Sequence, residues 1–216
     1  MKWFFRISFT AIILSTVWSV SSYFTRDKNP GTVTSVTFGY SGLLAWSLPS
    51  NAKTSDDARA SVAMSAGQTT EYLQAVDFGF NIPPGSTIVG ISAAVEKSGF
   101  VLGGQVGAID DAIQLLKAGA LVGIDQSNPF EWGSADTVVN YGSTSDLWAT
   151  TWTPAQINAT NFGIVVKANW SDDSGTATVD SIQLSVYYTE GFPLEPQIMY
   201  KTKVQTRSLQ IARHYR

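Results

Sequence analysis

Residues Phe78 to Val95 read FGFNIPPGSTIVGISAAV, an aromatic run that halts at Pro83-Pro84-Gly85 and resumes as an alternating one. Proline lacks an amide donor and fixes φ, so two in succession end a sheet strand. Gly85 supplies the conformational freedom of a tight turn. After it, Val89, Ile91, Ala93 and Val95 alternate with Gly90, Ser92, Ala94 and Glu96. That is the period of a half-buried strand. The stretch predicts strand–turn–strand and carries no chemistry of its own.

Outward from it the pattern repeats. Thr32 to Phe38, Ala60 to Met64, Tyr72 to Phe80, Thr137 to Tyr141, Phe162 to Ala168 and Ala177 to Tyr188 all read as strands. Ala112–Leu116 and Leu121–Ile124 flank Lys117-Ala118-Gly119 and predict a hairpin. Phe100 to Asp111 is glycine-rich and reads as a loop. Thr153-Pro154 is the one convincing helix start, with a capping hydroxyl and proline at the first helical position. Short strands, frequent turns and almost no helix predict an all-β fold, an antiparallel β-sandwich with jelly-roll-like connections. The expected organisation is an apolar N-terminal segment over 1–28, the sandwich over 29–190, and a linker with a basic tail over 191–216.

The 216 residues carry a net charge of −3, which hides a segregation. Between Asn29 and Pro196 there are sixteen acidic residues against five basic ones. The last twenty residues hold Lys201, Lys203, Arg207, Arg213 and Arg216 and no acid. An acidic body repels nucleic acid over most of its surface, so none is expected as a partner. The basic ends suit docking on an acidic neighbour, such as another copy of the body, and the five tail cations are the expected assembly residues. Ile7 to Thr25 is nineteen residues without a charge, just enough to span a bilayer as a helix. With Lys2 and Arg6 before it, the segment also reads as an export signal with a cleavage region near Ser22. Its Ile, Val, Thr and eight Ser/Thr favour instead an extended arm that adds a strand to a neighbour. Membrane anchor, signal and assembly arm all stand at this point.

There is no cysteine, and the one histidine is His214. Thiolate chemistry and a histidine-based catalytic pair or metal site within one chain are excluded. No serine or threonine has a placed base, and Gly103-Gly104 lacks the Lys-Ser/Thr of a phosphate loop. The chain is expected not to be an enzyme and to need no cofactor. Asp56-Asp57, Asp110-Asp111 and Asp172-Asp173 are acidic pairs that read as lying in polar or glycine-rich loops, the oxygen-rich setting calcium takes. Solvated turn residues are the plainer reading, and Asp172 and Asp173 are the best calcium candidates. Trp148 and Trp152 read as packing anchors. Trp132 and Trp170, read as lying in loops, are the candidates for stacking on a glycan. Asn158-Ala-Thr160 and Asn169-Trp-Ser171 match the short glycosylation pattern, which matters only in a glycosylating host.

Several segments together resemble a β-sandwich module of phage virion and tail-region proteins and of some secreted bacterial surface proteins. They are Trp46-Ser-Leu-Pro-Ser-Asn-Ala52 with Ser55-Asp56-Asp57, Phe78-Gly-Phe-Asn-Ile-Pro83 and Gly85-Ser-Thr-Ile-Val-Gly-Ile91. They continue as Tyr141-Gly142, Asp146-Leu-Trp148, Thr151-Trp-Thr-Pro-Ala155, Phe162-Gly163, and Val179-Asp-Ser-Ile182 with Val186-Tyr-Tyr188. The resemblance spans residues 45–188 and implies a structural or surface module with no catalytic residues. It implies a virion component, a capsid decoration or tail-associated protein, partnered by its own copies or by other virion structural proteins. The alternative is an exported or membrane-anchored bacterial surface protein that binds glycans or polymerises. The apolar start and basic tail depart from the module's usual pattern.

Overall fold

A computed structural model describes residues 23–101, 107–171 and 174–191. Ten strands run in chain order: β1 Tyr23–Lys28, β2 Thr32–Val36, β3 Ala60–Ser65, β4 Tyr72–Val76, β5 Thr87–Val101, β6 Ala108–Lys117, β7 Ala120–Val122, β8 Thr137–Ser143, β9 Gly163–Trp170 and β10 Ser174–Thr189. A 3-10 turn, Pro49–Ala52, and one helical turn, α1 Pro154–Ile157, complete the elements among the described residues.

All strand pairings are antiparallel and form two sheets. One is ordered β1-β10-β5-β8, with β3 beside the other half of β10's edge, and the second is β2-β4-β9-β6-β7. From β3 onward the chain alternates between sheets, except at the β6–β7 hairpin. The first strand of this series, β3, ends beside the last, β10. That is the strand order of a jelly roll, two interlocked Greek keys that close most of their edges. The expected all-β sandwich is therefore the observed fold. β1 adds to it: residues 23–28 pair with Leu184–Thr189, so the sheet takes in the end of the expected N-terminal segment.

Period-two alternation builds the core. Ile91, Ala93 and Val95 on β5 and Ile182, Leu184, Val186 and Tyr188 on β10 face Leu73, Ala75, Ile113, Leu115, Ile164 and Val166 of the other sheet. Each aliphatic side chain so buried contributes about 1.5–3 kcal/mol. Phe78, Phe80 and Ile82 enter the same core from an irregular segment rather than from a strand. β4 stops at Val76 because Asp77 and Gly79 take φ of 59° and 61°, which turn the chain out of the ladder. The expected strand to Phe80 is thus four residues too long, while the turn at Pro83-Pro84-Gly85 is present, with Gly85 at φ 83°.

Two further expectations are settled. The β6–β7 hairpin closes on Ala118-Gly119, both at positive φ, between the paired Lys117 and Ala120. α1 carries a full capping box, in which Thr153 and Gln156 satisfy each other's backbone amides. The glycine-rich stretch Phe100–Asp111 is corrected: β5 extends to Val101 and β6 begins at Ala108, so Asp110 and Asp111 lie on a strand. The ladder shifts register at Val89, Asp111 and Asp180, one extra residue each. Such bulges re-aim side chains, and two of the three are carboxylates.

Candidate functional site

Both tryptophans expected to stack on a glycan are buried, against that expectation. Trp132 is 2 % exposed and Trp170 0 %, so neither offers a ring face to a sugar. Trp170 ends β9 and lies in a slot left by Gly107 and Gly175, where an added Cβ would collide with its ring. Trp132 is drawn inward because its indole N–H donates to Asp110 Oδ1 at 2.8 Å. Trp148 and Trp152 are the packing anchors expected. Their indoles donate to the carbonyls of Ile91 and Leu147, at 2.9 and 3.1 Å.

The alternation of β5 continues one step past Val95 and places Lys97 on the core face, 2 % exposed. Its ammonium donates to Asp110 and to the Tyr141 hydroxyl. Tyr141 in turn donates to Asp110 Oδ2 at 2.7 Å, and the Asn128 amide donates to the same oxygen at 3.0 Å. Each oxygen of Asp110 thus accepts two bonds. The Lys97 ammonium also sits 4.4 Å from the centre of the Trp132 ring. Burial pushes Lys97 below the ordinary lysine range, and the Asp110 charge opposes that only in part. Burial beside the same carboxylate holds the Tyr141 phenol above its ordinary range. A cavity of about 190 Å³ opens over the group, walled by Phe130, Glu131 and Val139. Its floor is a satisfied network in which no nucleophile is left without a partner. The arrangement ties β5, β6, β8 and the 128–132 segment together.

A second polar cluster lies on the outer face of the same sheet. Asp57, Asp136 and Asp180 bring carboxylate oxygens within 4.8 Å of one another. Arg59 reaches Asp57 Oδ1 at 2.7 Å and also pairs with Asp136. The bulge at Asp180 puts this carboxylate under the 54–59 loop, where the Asp57 amide donates to Oδ2 at 3.3 Å. Asp136 Oδ1 accepts from the Ser98 hydroxyl at 2.9 Å. Burial first, then the charge of Glu96, holds Asp180 above the ordinary carboxylate range, against the backbone of Asp56 and Asp57 and the charge of Arg59. The remaining members of the sequence-derived set, Asp172, Asp173, Lys201, Lys203, Arg207, Arg213 and Arg216, lie outside the described residues.

Sequence reading paired Asp56 with Asp57 but missed Asp136 and Asp180, which are 79 and 123 positions beyond Asp57 in the chain. It also missed Lys97, although the signal was there, since a lysine extending a buried face calls for a buried counter-ion.

The fold and these clusters define a jelly-roll β-sandwich with an acidic surface. No family model matches the chain, and no curated protein matches it. Among solved structures, a chain of the cyanophage Pam1 capsid asymmetric unit is similar at 13 % identity, covering 62 % of this chain and 82 % of that one, with a TM-score of 0.28. That score falls short of a shared fold.

Proposed function

We propose that this chain is a non-enzymatic structural protein of a virion, a capsid decoration or tail-associated component that assembles through its terminal extensions. The observation that carries the reading is the charge segregation between body and tail. Of the five body cations, Lys97, Arg59 and Lys167 are consumed by internal ion pairs with Asp110, Asp57 and Asp136, and Asp111. Lys117 is turned onto the Thr151 carbonyl and the Trp152 ring. The body therefore presents acidic groups with few free cations, and the five cations of the tail are matched to such a surface in another subunit. The N-terminal segment leads into β1, which lies along β10 and leaves its other edge without a partner among the described strands. A segment entering there suits strand addition between neighbours. The jelly roll supports the reading only by analogy, since it is a frequent architecture of viral capsid domains and also of lectins.

Tyr23–Thr25 of the uncharged stretch pair in β1, and the sixteen residues before them, 7–22, suit an export signal better than a bilayer span and favour one alternative, an exported surface protein. Mass spectrometry of purified particles and of cell-envelope fractions separates the two. Recovery in particles at stoichiometric amount is the expected result. Recovery only in the envelope, with a mature start near Ser22, contradicts the virion reading.

A further inference from the structure

The acidic cluster on the outer face of the sheet holds one group with no structural reason to be charged and bare. Asp180 is 1 % exposed, and its Oδ1 has no hydrogen-bond partner among the described residues. A buried carboxylate oxygen left unpaired costs on the order of 1–3 kcal/mol or more. The bulge nevertheless places a carboxylate here, beside two others.

We infer that Asp57, Asp136 and Asp180 form a calcium site. Three carboxylates against one guanidinium leave a formal charge of −2, which a divalent cation neutralises. Calcium accepts six to eight oxygens in irregular geometry, so three protein carboxylates with waters suffice. Water has access, because a groove of about 400 Å³ lined by Ser98, Ser134, Asp136 and Thr178 opens beside the cluster. Two oxygens are placed to change partner. Asp180 Oδ1 is unoccupied, and Asp57 holds Arg59 through a side chain that is 87 % exposed. An exposed pair of that kind is worth roughly 0–1 kcal/mol, so the cation displaces Arg59 from Asp57 at little cost while Arg59 keeps Asp136. The bound ion clamps the 54–59 loop and the segment before β8 onto the bulge of β10. With only three protein carboxylates, affinity belongs in the range of about 10⁻⁴–10⁻³ M found for extracellular modules. This inference is independent of the assembly reading.

Calorimetric titration of calcium into the chelator-treated full chain, with thermal unfolding alongside, tests it. Expected are saturable binding in that range and a Tm that climbs by several degrees with calcium. Asp180→Asn should abolish both effects, and so should Asp57→Asn, whose exposed loop position keeps the fold intact. Asp172→Asn should change neither. Absence of binding to the native chain overturns the proposal. So does a response that survives in Asp57→Asn or disappears in Asp172→Asn.

Discussion

Lys97 and Asp110 are the residues on which the sandwich depends most at one point. Removing Asp110 strands a buried ammonium and frees the donors of Trp132, Tyr141 and Asn128 together. Asp110→Ala should cost about 3–5 kcal/mol, the usual penalty for breaking a buried pair from one side. Urea unfolding measures it, and a loss under 1 kcal/mol would mean the network is slack. The depressed Lys97 value adds a pH signature. Between that lowered native value and 10.5, the unfolded chain holds a proton that the folded one releases. Stability contributed by Lys97 therefore rises with pH across that window. The stability of wild type relative to Lys97→Met should rise with pH across that window, and a pH-independent or falling difference would refute it. Asp180 has the opposite sign. Its native value lies above 3.8, so the folded form keeps the proton longer, and stability falls as pH rises from 3.8 through the native value. In chelator, Asp180→Asn should remove that fall and raise stability at neutral pH, as read by thermal unfolding from pH 4 upward. The sequence marks Lys97 by its place on a buried face, but it identifies the partners of neither residue. Their partners arrive from distant parts of the chain, and the bulge at Asp180 shows only as a switch of the buried face from Ala177 and Val179 to Ile182 and Leu184.

Elements were more legible, where the signal was local. The β6–β7 hairpin, α1 and the Pro83-Pro84-Gly85 turn each follow from two or three adjacent residues whose backbone preferences agree. The hairpin also shows where the agreement is imperfect. Ala118 sits at φ 53°, a conformation that costs a residue with a Cβ about 1–2 kcal/mol. Ala118→Asn, which makes the favoured Asn-Gly pair, should stabilise the fold by roughly 0.5–1 kcal/mol. A denaturant midpoint that does not rise would show that tertiary packing, including the hydrogen bond that the Gly119 N–H donates to the Asn161 carbonyl, dictates the turn. The glycine-rich stretch misled because one of its glycines, Gly107, marks packing rather than a loop. Gly107 and Gly175 flank Trp170, and the ring fills the space their missing side chains leave. Gly175→Ala should cost about 1–3 kcal/mol by overpacking and disturb Trp170 fluorescence. The same proximity explains why Trp170, beside polar residues in sequence, is not on the surface.

Across the whole molecule, the fold class followed from short strands, frequent turns and periodicity, whereas the jelly-roll order is visible only in how the chain alternates between the two sheets. The charge asymmetry was equally plain in sequence, but its meaning sharpened once three of the five body cations were found in internal ion pairs. A body so left acidic should hold a basic tail by long-range attraction, so assembly should weaken as ionic strength rises past the physiological range. Light scattering of the full chain across a salt series reads this, and salt-independent association would point to apolar contacts instead. The most direct measurement is incorporation of a chain lacking residues 199–216 into purified particles, beside its thermal unfolding. The account predicts a body that unfolds as cooperatively as the full chain yet is missing from particles; normal incorporation of the folded truncation would contradict it.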